Sequence, residues 1–454
     1  MKTILLRMAD HTRGARLLGF AALLTCAVAP HGASAQRLFI SPDSAMVDEP
    51  VRIMAEGLAP GTEAEIRLRW ADAPGAELVS SAWVRADGAG RIDLQTQAPD
   101  SGSYGGVDGA GLLWSMAPPS APASIRHAWW SPPEPIRLRA ELRVAGRVVD
   151  ERSVTRRLLG WGVRVEEVRD SGIVARLYRP ADAERPLPVV LVLSGSEGGF
   201  DDLRASLLAA HGFAALTVAY FRAPGLPDEL FEIPVERVLA ALAWVRKRPG
   251  LDAGRVAVLG ASKGAELALV AASRIPELRA VVGYAPTDVV NPGINQQGRT
   301  GPRSSWTWGG APLPFMELNG SPEFEAQFRG PPPYRLRPLY EASRADTAAL
   351  ARAAIPVERI RGPVMLVTGE DDQMIPSTPS AVAVMRRLAA ARHPYPDQHL
   401  SYPDAGHVIL APRLPTPPRA RLGPWSTGGT PEGYARADAA SWPAVLRFLE
   451  DALR

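Results

Sequence analysis

Nearly all-apolar runs alternate with segments of helical periodicity in the second half of the chain, and this rhythm restricts the possible folds more than any other feature. Runs of consecutive aliphatic residues are typical of strands that are buried on both faces of a sheet. Strand–helix alternation predicts a mostly parallel, doubly wound α/β sheet. The predicted strands are PVVLVLS (188–194), FAALTVAY (213–220), RVAVLG (255–260), AVVGYAP (280–286) and PVMLVTG (363–369).

The first half has a different rhythm, in which short alternating runs are separated by Pro, Gly and Asp turns. In AEIRLRW (64–70), the apolar residues fall on one face and the charged residues on the other. Closely spaced strands of this kind predict a small antiparallel β-sandwich. A chain of 454 residues is also long enough for two domains. We therefore predict a sandwich at 36–167 and an α/β domain at 168–454, and we interpret His127, the only histidine of the sandwich, as structural.

The stretch 288–338 lacks clear periodicity and is rich in Gly, Pro, Trp and Arg. It is too long for a simple connecting loop. We predict that it is an insertion covering the functional site.

The first 35 residues have the pattern of an export signal. Four basic residues precede the apolar stretch LLGFAALLTCAVA (17–29), and Ala33-Ser34-Ala35 fits the small-residue pattern for cleavage before Gln36. The sequence predicts an exported, periplasmic or secreted protein without stable membrane insertion after cleavage. An uncleaved membrane anchor is the alternative.

Removal of residues 1–35 takes away four basic residues and one acidic residue, so the formal charge falls from +3 to zero. A balanced surface gives no indication of a nucleic-acid partner. The only cysteine, Cys26, lies in the predicted signal, so the mature chain has no disulfide and no thiol nucleophile. No metal or cofactor motif is present, and the sequence does not indicate an oligomeric state.

The stretch GASKG (260–264) has the G-x-S-x-G pattern between a predicted strand and a predicted helix. This arrangement is typical of a nucleophile elbow, in which flanking glycines allow a sharp turn that exposes the serine hydroxyl above the sheet. The sequence therefore makes Ser262 the candidate nucleophile.

A serine hydroxyl needs a histidine base and a carboxylate that orients the base, and in this fold they follow in the order Ser, Asp or Glu, His. Asp372 follows the strand PVMLVTG and is the candidate acid, with Asp371 as its competitor. His407 follows the strand-like HLSYP (399–403) and is the candidate base. His393 and His399 are the alternatives, but both precede or lie within that strand.

The anionic oxygen of an acyl-transfer intermediate requires two backbone N–H donors. The first candidate is Lys263, the residue after the nucleophile, and the second is Ser196 or Glu197 in the Gly-rich loop LSGSEGGF (193–200). We interpret the side chain of Lys263 as a solvated surface lysine.

Longer motifs in matching order resemble the acyl-CoA thioesterases and the bile acid-CoA:amino acid N-acyltransferases, over nearly all of the mature chain. The matching motifs are VDEPVRI (47–53), RADGAGRIDL (85–94), GSYGGVDGAGLLWSM (102–116), RASLLAAHGFAALTVAYF (204–221), GASKGAEL (260–267), IPVERIRGPVMLVTGEDD (355–372) and YPDAGHVI (402–409).

The resemblance implies an immunoglobulin-like β-sandwich followed by an α/β-hydrolase domain, with nucleophile, acid and base at Ser262, Asp372 and His407. It also favours Asp372 over Asp371. In this family the N-acyltransferase branch has cysteine at the elbow and the thioesterases have serine, so Ser262 implies hydrolysis of an acyl thioester or ester. The predicted export and the long segment 288–338 depart from the family's pattern.

Three other functions remain open from the sequence. Two are enzymatic, namely acyl transfer to an amine or alcohol and carboxylesterase action. The third is a ligand-binding module with a relict hydrolase domain.

Overall fold

The computed structural model describes residues 35–71, 77–119, 134–170 and 172–454. Apart from Ala35, the predicted export signal lies outside the described residues, as does His127. Residues 36–454 form one compact unit.

The first part of the chain forms two β-sheets that share one buried core. A three-stranded antiparallel sheet has the order β1-β3-β6, and a six-stranded, mostly antiparallel sheet has the order β2-β9-β8-β4-β5-β7. The elements are β1 (Arg37–Ser41), β2 (Ser44–Met46), β3 (Arg52–Glu56), β4 (Glu63–Trp70), β5 (Leu78–Arg85), β6 (Ile92–Asp93), β7 (Ser101–Gly102), the short helix α1 (Gly111–Trp114), β8 (Ile136–Val144) and β9 (Arg147–Arg157).

Strand β4 has the predicted apolar face, since Ile66, Leu68 and Trp70 are buried. Its other face is not simply solvated. Glu65 is also buried, and its carboxylate forms ion pairs with Arg67 and Arg143.

The second part is an eight-stranded sheet in the order β10-β11-β13-β12-β15-β16-β21-β22. The pairs β10–β11 and β11–β13 are antiparallel, and all the other pairs are parallel. The strands are β10 (Val163–Asp170), β11 (Ile173–Pro180), β12 (Leu187–Leu193), β13 (Ala214–Ala219), β15 (Leu251–Ala261), β16 (Ala280–Tyr284), β21 (Val364–Gly369) and β22 (Gln398–Tyr402). This architecture confirms the predicted fold class.

Helices cover both faces of this sheet, which explains why its central strands are apolar throughout. Alternate residues of the central strands enter two separate cores, one against α2 and α9 and the other against α3, α4 and α8. The first of these cores is continuous with the core of the sandwich. The helices are α2 (Asp202–Ala210), α3 (Glu236–Arg246), α4 (Lys263–Ala272), α8 (Ser377–Ala390) and α9 (Pro431–Ala452).

Strand β10 begins before the predicted domain boundary at 167/168 but pairs with β11 in the large sheet. The large sheet therefore takes in residues that were assigned to the sandwich. The boundary itself stays a prediction.

The stretch 288–338 contains short elements that its weak periodicity did not reveal. Strands β17 and β18 pair with each other, and β19 pairs with β20 and with β14. The elements in and around this stretch are β14 (Ile233–Pro234), β17 (Pro292–Ile294), β18 (Thr300–Ser304), β19 (Trp306–Trp308), β20 (Ala311–Pro312), α5 (Pro322–Ala326), α6 (Arg337–Ser343), α7 (Thr347–Ala353), β23 (Arg421–Leu422) and β24 (Trp425–Ser426).

A buried carboxylate bonds the first part of the chain to the second. The Asp48 Oδ2 atom accepts hydrogen bonds from His211 Nε2 at 2.6 Å and from Trp442 Nε1 at 2.9 Å. The Arg413 guanidinium also donates to the Asp48 carbonyl. The Asp48 hydrogen bond raises the pKa of His211 above its usual 6.5. Burial works to raise the pKa of Asp48, but the hydrogen bond and charge of His211 outweigh it and lower that pKa below 3.8.

The stability that comes from this contact depends on pH. The contribution from His211 is complete below its unfolded pKa of 6.5 and is lost as the pH rises through its higher folded value. The contribution from Asp48 is present above 3.8 and is lost as the pH falls through its lower folded value.

We expect His211→Gln, which keeps a donor but removes the charge, to lower the free energy of unfolding by about 1 kcal/mol at about pH 5.5. The expected loss of unfolding free energy is small because the imidazole is 38% exposed, so that water screens its charge. At about pH 9 the loss should largely disappear. Urea denaturation at the two pH values measures it. His399→Gln is the comparison, because burial lowers the pKa of His399 and the pH dependence should have the opposite sign. Equal losses for His211→Gln at both pH values would contradict the prediction.

Candidate active site

Ser262 lies on a sharp turn between β15 and α4. Its backbone has φ 54° and ψ −117°, a conformation that non-glycine residues rarely adopt. The two flanking glycines are required by close packing. A Cβ on Gly260 would lie 2.1 Å from the Gly264 carbonyl oxygen, and a Cβ on Gly264 would lie 2.3 Å from the Ser194 carbonyl oxygen. The G-x-S-x-G pattern therefore forms a strained turn that presents the Ser262 hydroxyl at the carboxyl end of the sheet.

The structure brings Ser262, His407 and Asp372 into one hydrogen-bonded row. His407 Nε2 is 3.0 Å from Ser262 Oγ, and His407 Nδ1 is 2.9 Å from Asp372 Oδ2. Asp372 follows β21 and His407 follows β22, so both side chains come from loops at the same end of the sheet as Ser262. The side chains of Asp372 and His407 are 1% and 7% exposed, which keeps this row largely out of water.

Asp372 is held by donors from its own loop. The N–H groups of Met374 and Ile375 donate to Oδ1 at 2.9 and 3.1 Å, and the Ser377 hydroxyl donates to Oδ2 at 2.6 Å. Burial works to lower the pKa of His407, but the charge and hydrogen bond of Asp372 outweigh it, and the pKa is raised above its usual value. The carboxylate thus fixes the imidazole and favours its protonated form.

The alternative acid and bases lie elsewhere. Asp371 accepts a hydrogen bond from the Gly429 N–H at 2.7 Å. His393 contacts Asp397 and the Ile360 carbonyl, and His399 contacts the Thr368 hydroxyl. Within the described ranges, none of these three has a hydrogen bond to Ser262.

The candidate oxyanion donors differ in what lies beside them. Among the described residues, the N–H groups of Lys263, Ser196 and Glu197 have no acceptor on another residue. The Glu197 N–H lies near the carboxylate of its own side chain, where it lowers the pKa of that group. Because a carboxylate repels a second negative charge at the same N–H, Ser196 is favoured over Glu197 as the second donor, beside Lys263.

The predicted surface position of the Lys263 side chain is wrong. The residue is 6% exposed, and its Nζ donates to Ser305 Oγ at 2.7 Å and to the Pro292 carbonyl at 3.1 Å. It also forms a buried ion pair with Glu266 at 3.2 Å. Burial lowers the pKa of Lys263, and the nearby Glu266 opposes this effect.

Glu266 connects the start of α4 to the stretch 288–338. Its carboxylate accepts hydrogen bonds from the Asn291 N–H at 3.0 Å, from Asn291 Nδ2 at 2.9 Å and from Trp306 Nε1 at 2.7 Å. The positions of Glu266, Asn291 and Trp306 were not predicted from the sequence. Their only signal was the i, i+3 spacing of Lys263 and Glu266, which is also common on solvated helix faces.

The described ranges contain neither a cluster of metal-binding side chains nor a helix able to cross a membrane. Among these residues, no group of three or more His, Cys, Asp or Glu side chains is placed to bind a metal ion. In the same part of the chain, no helix combines the length and the apolar character needed to cross a membrane.

We expect Glu266→Ala to lower the free energy of unfolding by about 3–5 kcal/mol, because it leaves the Lys263 ammonium buried and unpaired. Urea denaturation measures the loss. The matched control is Glu277→Ala, which removes an exposed ion pair with Arg246 of similar length, 3.0 Å, and should cost less than about 1 kcal/mol. Similar losses for the two variants would contradict the prediction.

Comparisons with known proteins cover most of the chain. The family model for the C-terminal part of the BAAT/acyl-CoA thioester hydrolases matches residues 233–454, and the model for the N-terminal region of the same family matches residues 48–170. Among solved structures, a putative dienelactone hydrolase from Klebsiella pneumoniae covers 63% of this chain and 98% of its own. It has 18% identity and a TM-score of 0.39, which is too low to support an inference.

Two relatives illustrate the range of the family. Human acyl-coenzyme A thioesterase 6 is 30% identical, and the match covers 88% of this chain and 93% of the relative. Mouse acyl-coenzyme A amino acid N-acyltransferase 1 is 28% identical, over 91% of this chain and 97% of the relative. The chain therefore belongs to the acyl-CoA thioester hydrolase/BAAT family.

Proposed function

We propose that this protein is a serine hydrolase that cleaves acyl thioesters of the acyl-CoA type through an acyl-enzyme on Ser262. One observation carries the proposal. The Ser262 hydroxyl, the His407 imidazole and the Asp372 carboxylate form a hydrogen-bonded row at the carboxyl end of the sheet. Similarity to relatives named acyl-CoA thioesterases supports the choice of substrate class.

In the proposed reaction, His407 Nε2 takes the proton of the Ser262 hydroxyl as Oγ attacks the thioester carbonyl carbon. The negative charge that develops on the carbonyl oxygen is stabilised by the N–H groups of Lys263 and Ser196. His407 then gives its proton to the departing thiolate. Water then attacks the acyl carbon as His407 Nε2 takes one of its protons, and His407 returns that proton to Ser262 Oγ as the bond between Oγ and the acyl carbon breaks, which releases the carboxylic acid and free Ser262.

Acyl transfer to an amine is the second candidate, because relatives named amino acid N-acyltransferases match almost as well as the thioesterases. The serine at the elbow favours water as the acceptor, since the family's N-acyltransferase branch has cysteine there. Carboxylesterase action would use the same acyl-enzyme with an alcohol as the leaving group.

We expect Ser262→Ala to reduce turnover by roughly four to six orders of magnitude, because the acyl-enzyme no longer forms. Release of free thiol from a panel of acyl-CoAs, with and without glycine or taurine, measures hydrolysis and transfer together. The control is Ser273→Ala, which lies just after the other end of α4, where its hydroxyl donates to the Val270 carbonyl. Fluorophosphonate should label the wild type and Ser273→Ala at Ser262. Labelling of Ser262→Ala at the same rate would refute the proposal.

We also propose that the protein is exported and cleaved after Ala35, on the basis of the basic, apolar and small-residue pattern of residues 1–35. Full-length protein produced in a bacterium should appear in the periplasm or medium with Gln36 as its first residue. N-terminal sequencing of the recovered protein measures this. Recovery of the uncleaved chain from the membrane fraction would instead indicate an anchor.

A further inference from the structure

Glu197 is a carboxylate beside the candidate site that the proposed reaction does not use. It lies in the loop 194–199, between β12 and α2, and it is partly buried. Its Oε1 accepts a hydrogen bond from the Gly195 N–H at 2.8 Å. In the described part of the chain, no Lys or Arg forms an ion pair with it.

The Glu197 carboxylate lies in a loop whose backbone is held by several hydrogen bonds. The Gly198 N–H donates to the Gly195 carbonyl at 3.2 Å, and the Gly199 N–H donates to the Phe221 carbonyl at 3.0 Å. The Tyr220 hydroxyl donates to the carbonyls of Ser194 and Gly195 at 2.6 and 3.2 Å, and Arg222 donates to the Ser196 carbonyl at 3.3 Å. Ser196 keeps an N–H with no protein acceptor among the described residues.

The carboxylate lies close to the nucleophile turn. A Cβ built on Gly195 would be 2.7 Å from Glu197 Oε2 and 3.2 Å from the carbonyl oxygen of Ala261, the residue before Ser262. The absence of a side chain at Gly195 therefore allows the carboxylate to approach the end of β15.

Several charged or titratable groups face Glu197, and their effects differ. Asp201 and Arg204 approach from the start of α2 with opposite effects, and Tyr220 approaches from the end of β13. Burial raises the pKa of Glu197, and Asp201 adds to this effect, whereas the hydrogen bond from the Gly195 N–H and the charge of Arg204 oppose it and favour the ionised carboxylate. The negative charge of Glu197 also acts on His407, where it joins Asp372 in raising the pKa of the imidazole.

We propose that Glu197 is a positioning residue for acyl transfer at Ser262. Its carboxylate fixes the loop 194–199 so that the Ser196 N–H stays available, and its charge stabilises the protonated His407 that forms when Ser262 is acylated. Glu197 itself takes no proton in the reaction, since the Ser262 proton moves to His407 and from there to the leaving thiolate. This inference rests on the proposed function.

The test compares Glu197→Gln, which keeps an acceptor but loses the charge, with Glu197→Ala, which loses both. Loss of the negative charge lowers the pKa of His407, so the acid limb of kcat/KM against pH should move to lower pH in Glu197→Gln, by a few tenths to about one pH unit. In Glu197→Ala the loop that carries the Ser196 N–H loses its hydrogen bond from the carboxylate. We expect kcat to fall roughly ten- to a hundredfold with little change in KM, because this N–H acts mainly on the oxyanion of the transition state.

The control is Glu358→Gln, which alters an exposed acid that pairs with Arg387 and should match the wild type.

The pKa of the His407 imidazole is also measured by NMR in the wild type and in Glu197→Gln. His407→Asn assigns the signal. This measurement does not depend on turnover. An unchanged pKa and acid limb in Glu197→Gln would overturn the electrostatic role, and an unchanged kcat in Glu197→Ala would overturn the positional role. Failure of the proposed function looks different, because the wild type itself would then show neither fluorophosphonate labelling nor thiol release.

Discussion

The strained turn at Ser262 is the constraint on which the arrangement of the site depends. A serine with φ 54° costs of order 1–3 kcal/mol, and such a conformation persists only where the surroundings enforce it. Here the Ser262 N–H donates to the Tyr284 carbonyl at 2.8 Å, which ties the turn to β16. Gly264 packs against the carbonyl of Ser194, which brings the loop 194–199 beside the turn. One backbone conformation thus positions the Ser262 hydroxyl, the Lys263 N–H at the start of α4 and the neighbouring loop.

The buried ion pair of Lys263 and Glu266 connects the start of α4, which follows the turn at Ser262, to the stretch 288–338. Burying two charges is unfavourable unless the geometry and the surrounding hydrogen bonds compensate for the lost hydration. The Lys263 ammonium also donates hydrogen bonds to Ser305 Oγ and to the Pro292 carbonyl. The Glu266 carboxylate accepts hydrogen bonds from Asn291 and Trp306. These partners come from one segment, so the polar network determines where that segment lies above α4. Apolar contacts alone are less directional.

The elements that were predicted from the sequence are those whose signal is local. Buried strands are apolar runs, and the elbow needs glycines within two residues of Ser262. Asp372 and His407 were predicted because each follows a strand in the order that the fold requires, and the structure places both side chains in one hydrogen-bonded row with Ser262. The burial of Lys263 had no local signal, since a lysine three residues before a glutamate is also the pattern of a solvated helix face. The strands β17 to β20 contain two to five residues each, too few to show a period. The contact between Asp48 and His211 joins residues 163 positions apart, which no local pattern reveals.

The two carboxylates near His407 differ in how firmly they are held, and this difference separates their roles in the proposed reaction. Asp372 accepts hydrogen bonds from two N–H groups and a hydroxyl in addition to His407, so its orientation is fixed and its charge is stabilised. Such a group is suited to hold one tautomer of the imidazole with Nε2 facing Ser262. Among the described residues, the Glu197 carboxylate has a hydrogen bond to one other residue, from the Gly195 N–H of its own loop. It therefore acts on His407 through its charge, without restricting the ring, and its hydrogen bond to Gly195 orders the loop that carries the Ser196 N–H. Asp372 therefore orients the His407 ring. Glu197 has two effects in the proposal, since its charge stabilises the protonated imidazole and its carboxylate holds the loop that carries the Ser196 N–H.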